Sequence, residues 1–112
     1  AVAATLLEAM ETEGLVKCRC VIAMLADKDA EAVAAELGSA VSAWYCASLD
    51  VERGQSGAEL ATRLAEAGGE QDIRVFETVP NALEAAVSDS GPADAVLVFG
   101  SFYTAAEVLG QQ

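Results

Sequence analysis

Four short apolar runs alternate with stretches of helical periodicity along this chain, and that alternation confines it to a βαβ architecture with a parallel sheet. The runs cover residues 18–24 (CRCVIAM), 41–47 (VSAWYCA), 73–76 (IRVF) and 95–99 (AVLVF). The last is continuously apolar, as a strand must be when helices cover both faces of its sheet. A three-layer, Rossmann-like α/β fold with a mostly parallel sheet follows.

Apolar spacing places the helices between the runs. A first helix over residues 2–12 sets Ala3, Leu6, Leu7 and Met10 on one face. A second over residues 30–38 does so with Ala30, Val33, Ala34 and Leu37, and Gly38 is its natural C-cap. The third opens on a capping box, Ser56-Gly57-Ala58-Glu59, turns Leu60 and Leu64 inward and ends at Gly68-Gly69. The fourth has Pro80 in its first turn, Leu83 and Val87 on its inner face, and a stop near Gly91-Pro92. A final helix is predicted over residues 101–109. No repeat or linker interrupts the 112 residues, so they read as one domain.

Composition removes several function classes. Eighteen acids against six bases give a net charge of −12, which repels a phosphate backbone and an anionic membrane. No apolar stretch approaches the roughly 20 residues of a membrane helix. The first residues carry acids and no basic region, unlike a signal peptide, and the three cysteines are an odd number. A reducing, cytoplasmic setting is expected. Cys18 and Cys20, two apart on a strand, face the same side; with one further cysteine and no histidine in the chain, they read as buried thiols rather than metal ligands. The absence of histidine also excludes a serine-hydrolase triad, and neither a Walker A loop nor a GxGxxG turn follows any strand. The chain opens without methionine inside a helical pattern, so it is expected to be a piece excised from a longer protein and not a complete enzyme.

Ligands of open α/β sheets bind beyond the carboxyl ends of the strands, which directs attention to the segments following each run. Asp27-Lys28-Asp29 follows the first: two acids around a lysine suit a charged small molecule or metal-bound phosphate, while Asp29 also suits a helix cap. Arg53-Gly54 follows the second, and Arg53 is the one arginine expected near this edge, able to pair with a carboxylate or to balance nearby acids. Gly100-Ser101-Phe102-Tyr103-Thr104 follows the last. Gly100 admits close backbone approach, and Ser101 and Thr104 add hydroxyls at a helix start that also fits an ordinary serine cap.

Four segments, in order, resemble the folylpolyglutamate synthase/dihydrofolate synthase family of the Mur ligase superfamily. Residues 21–29 (VIAMLADKD) resemble its V-I-G-M-L-x-D-K-D stretch, with Ala23 in place of the glycine. Trp44-Tyr45-Cys46-Ala47 with Leu49 resembles its second strand, and Arg53-Gly54 with Ala58 and Leu60 its arginine-glycine loop. Residues 96–108 resemble its closing V-L-V-x-G-S-F-x-T-x-x-x-V motif, with Tyr103 where some members carry histidine.

The resemblance implies a single Mur ligase C-terminal-type domain spanning residues 1–112. In such a ligase ATP and Mg2+ are held mainly by an N-terminal P-loop domain of the same chain, and neither is expected in this piece alone. The folate or dihydropteroate carboxylate becomes an acyl phosphate that the amine of L-glutamate attacks, giving an amide and releasing phosphate, a step of one-carbon metabolism. Ser101 is implied as the catalytic donor, with Asp27, Lys28, Asp29, Arg53, Gly100, Tyr103 and Thr104 at the interdomain cleft. The segment D-x-A-H-N-P of that family has no counterpart here. Two other assignments stay open: a stand-alone doubly wound binding or regulatory module, and the C-terminal domain of another Mur-type amide ligase. A receiver-like module would need a lysine after its last strand, where this chain has Gly100-Ser101-Phe102.

Overall fold

The computed structural model of the chain describes residues 2–38, 40–49, 52, 54–67 and 71–100, with residues 2–7, 99 and 100 by their backbone course alone. Within them the elements run α1 (Val2–Glu13), β1 (Lys17–Ala23), α2 (Ala30–Leu37), β2 (Ala43–Ala47), α3 (Gly57–Glu66), β3 (Asp72–Phe76), α4 (Val79–Asp89) and β4 (Asp94–Gly100). The predicted final helix, Arg53 and Gly68-Gly69 lie outside the described residues.

The strands pair in parallel in the order β3-β2-β1-β4. Each is buried on both faces where it has neighbours on both sides. Pleating sends Cys18, Cys20 and Ile22 to one face with Trp44 and Leu97, and Val21 and Ala23 to the other with Tyr45 and Val98. Met10, Leu37, Leu60 and Leu64 from α1, α2 and α3 close the first face, and Ala82 and Ala86 from α4 pack on the second. Burying a leucine such as Leu60 stabilises the fold by about 2 kcal/mol. The expected layers are therefore present. The outer strand β3 departs from the apolar pattern, with Arg74 and Val75 exposed at that edge of the sheet.

Burial raises the thiols of Cys18 and Cys46 to about 12 and that of Cys20 well above its ordinary value. All three are free, buried and held in the unreactive form, as expected of core thiols.

Both halves of the capping box form at α3. Ser56 Oγ accepts from the Glu59 amide at 3.0 Å, and the Glu59 carboxylate accepts from the Ser56 amide at 3.2 Å. Thr78 caps α4 at the Asn81 amide, with Pro80 in the first turn. The inner face of α4 corrects the sequence reading: Ala82 and Ala86 are fully buried, Leu83 packs only in part, and Val87 is 50% exposed. Two alanines let the helix lie close on the sheet, whereas turning Val87 inward would hold it away. Gly38 is the C-cap of α2, but in the right-handed conformation (φ −56°) rather than the left-handed one glycine favours. Its value there is space, since a Cβ would stand 2.5 Å from the Ala34 carbonyl oxygen.

Candidate functional site at the carboxyl edge of the sheet

The crossovers step from β1 to β2 to β3 in one direction, and β4 then returns to the other side of β1. The direction of winding thus reverses between β1 and β4, and their carboxyl ends flank the crevice where open α/β sheets receive ligands. The two strands end level, Ala23 opposite Gly100. The topology therefore sets the Asp27-Lys28-Asp29 loop, which leaves β1, on the same edge as Gly100 at the end of β4. Ser101, Tyr103, Thr104 and Arg53 lie outside the described residues.

The loop after β1 is built in detail. Asp27, Lys28 and Asp29 are all exposed. Asp29 is the N-cap of α2, its carboxylate accepting from the Ala32 amide at 3.0 Å. Leu25 forms an antiparallel bridge with Gly54, and its carbonyl accepts from Gln55 Nε2 at 3.3 Å, so the loops after β1 and β2 are joined. Ser48 Oγ accepts from the Gly57 amide at 2.9 Å. With the capping box formed as well, the amides of Ser56, Gly57 and Glu59 at the start of α3 are bonded within the fold.

One residue the sequence reading missed reaches this edge. Arg63, two turns into α3, donates to the carbonyl oxygens of Lys28 (2.6 Å) and Ala26 (3.3 Å), to Gln55 Oε1 (3.3 Å) and to both oxygens of Glu31 (3.0 and 3.2 Å). The expectation that Arg53 is the one arginine near this edge is thus corrected. Hydrogen bonding from Arg63 holds the Glu31 carboxyl below its ordinary range, and Glu31 in turn raises the guanidinium. Two of its partners are backbone carbonyls, which leave no mark in a sequence. The helical register of Arg63 relative to the Ser56 cap was the available signal.

Among the described residues no group of three or more Asp, Glu, Cys or His side chains could hold a metal ion. No helix among them is long and apolar enough to cross a membrane.

The sequence matches the Mur ligase, glutamate ligase domain family over residues 1–102. It is 40% identical over 89 residues to the dihydrofolate synthase/folylpolyglutamate synthase of Escherichia coli, covering 80% of this chain and 20% of that protein. The enzyme of the same name from Haemophilus influenzae is 41% identical over 95 residues, with 81% of this chain and 21% of that protein covered. Among solved structures, the bifunctional folylpolyglutamate synthase/dihydrofolate synthase of Yersinia pestis, complexed with AMPPNP and a Mn ion, superposes with a TM-score of 0.74 at 36% identity. That match covers 97% of this chain and 25% of the other. E. coli FolC in complex with DHPP and ADP gives 0.74 at 35%, with the same coverage. The chain thus spans about a fifth of the curated relatives' length. With the parallel sheet, its flanking helices and the family match in agreement, the chain belongs to the Mur ligase, glutamate ligase domain family, with the architecture of a Mur ligase C-terminal domain and a sequence similar to folylpolyglutamate synthase/dihydrofolate synthases.

Proposed function

We propose that this chain is one domain of a longer cytoplasmic ligase that adds L-glutamate to dihydropteroate or folate, and that its β1–β4 edge forms a wall of the catalytic cleft. The observation that carries this reading is the level ending of β1 and β4 at the winding reversal, Ala23 beside Gly100, in a chain similar to such enzymes. ATP supplies the phosphoryl group that activates the folate carboxylate. The donor set of the described residues does not fit a resident metal: Asp29 caps α2, and no third acid joins it and Asp27 in a ligand cluster. Magnesium and nucleotide are accordingly assigned chiefly to the P-loop domain of the intact enzyme, and this domain alone is proposed to be inactive.

The work left to this chain is positioning and charge stabilisation. The attacking glutamate amine builds negative charge on the tetrahedral oxygens, and hydroxyl and amide donors following Gly100 offset it. Ser101 takes that role in the proposal, with Asp27, Lys28, Asp29, Arg53, Tyr103 and Thr104 around the cleft. Ser101→Ala in the intact ligase tests it: glutamate addition should slow by about tenfold or more. Unchanged turnover would remove Ser101 from the site.

A further inference from the structure

We propose that Arg63 is a positioning residue for the ligase reaction: it fixes the shape of the Asp27-Lys28-Asp29 loop and locks that loop to the one after β2. This rests on the reading of the β1–β4 edge as the cleft wall. Three observations carry it. First, the guanidinium reaches two carbonyls of a single short loop, Ala26 and Lys28, from a helix belonging to a different βαβ unit. With both carbonyls turned down onto α3, the exposed side chains of Asp27 and Lys28 are left on the solvent side, where a ligand or the facing domain would meet them.

Second, Gln55 makes the coupling double. It is 5% exposed, the one buried polar side chain among the described residues. Its amide nitrogen donates to Leu25 and its oxygen accepts from Arg63. With the Leu25–Gly54 bridge, the loops after β1 and β2 are joined at two points. A change in one loop is therefore transmitted to the other.

Third, the charge matters as well as the shape. Asp27, Asp29 and Glu31 lie within five residues of a chain with a net charge of −12, and Lys28 is the only base among those residues. The positive charge of Arg63 is set beneath them, bonded to Glu31 and attracted by Asp29. Glutamate and a nucleotide are both anions, so an un-neutralised acidic loop would repel them. Arginine is required rather than lysine because a planar fork can meet the Glu31 carboxylate with two nitrogens and still direct donors to two carbonyls; a lysine ammonium is a single point with three donors.

The test uses the intact ligase with Arg63→Lys, Arg63→Gln and Asp27→Asn, measuring KM for L-glutamate and kcat at saturating ATP and folate, with thermal melting alongside. Arg63→Gln should raise KM about tenfold with kcat nearly unchanged, since loop misplacement weakens binding before chemistry. Arg63→Lys, which keeps the charge and loses the fork, should fall between it and the parent and melt within a few degrees of the parent. A lower melting temperature with KM unmoved in both Arg63 variants would overturn the proposal, leaving Arg63 a merely structural strut. Asp27→Asn separates the two readings. If it shifts KM while the Arg63 variants do not, only the positioning role falls; if all three leave KM unmoved, the placement of this edge at the cleft falls with it.

Discussion

The phenol of Tyr45, in the middle of β2, donates to Asp89 in the last turn of α4 at 2.7 Å, and this bond ties that helix to the strands beneath it. Arg74 of β3 pairs with the same carboxylate and lies over the rings of Tyr45 and Phe76. Arg19 bonds Asp94 nearby, at 3.7 Å. Arg19 and Asp94 stand toward the amino ends of β1 and β4, and Tyr45 and Arg74 midway along β2 and β3, away from the candidate site. They hold the domain together and leave the carboxyl edge to function.

Tyr45→Phe should therefore cost about 1 kcal/mol and lower the melting temperature by several degrees, since it deletes one hydrogen bond and keeps the ring. The pH profile identifies the cause. The Tyr45 hydroxyl, then Arg74, hold Asp89 below its ordinary value of 3.8. A carboxyl depressed on folding contributes stability above its unfolded value and loses it as pH falls through the folded one, so the acid limb below about pH 4 should flatten in the variant. Tyr45 itself is raised above 10.0 by burial and by Asp89, so its contribution is present below that pH and lost as pH rises through the folded value. Melting curves across pH check both limbs; an acid limb identical to the parent's would contradict the assignment.

Gly57→Ala should destabilise by about 1–3 kcal/mol, even though alanine is the better helix former by about 1 kcal/mol. A Cβ at Gly57 would lie 2.7 Å from the Cys46 carbonyl oxygen and 3.0 Å from that of Phe76, both rigid backbone of adjacent strands. The first turn of α3 can enter between β2 and β3 only without a side chain there. Denaturant unfolding measures it, and a stabilised variant would show that helix propensity outweighs the contact.

Much of this architecture is legible in the residues. The runs around Val21-Ile22 and Val96-Leu97 become strands buried on both faces because residues without polar side chains can sit between two helical layers. Ser56 and Glu59 announce the start of α3 because a capping box uses side chains three apart, a purely local pattern. Val87 misleads, since the rotation of α4 is decided by how closely Ala82 and Ala86 approach the sheet, which is a tertiary matter. At the site, the Asp27-Lys28-Asp29 loop is visible from its place after a strand. Arg63 and Gln55 are not, because the bonds that join them to the loop after β1 go to carbonyl oxygens thirty or more residues away.

The claim that the β1–β4 edge faces the catalytic cleft is tested most directly by hydrogen exchange on the intact ligase, with and without an ATP analogue and L-glutamate. Amides of residues 24–29 and 98–104 should exchange more slowly with both ligands bound, while those of residues 41–45 and 72–74, at the amino ends of β2 and β3, stay unchanged. Protection confined to the amino ends, or none at residues 24–29 and 98–104, would contradict the account.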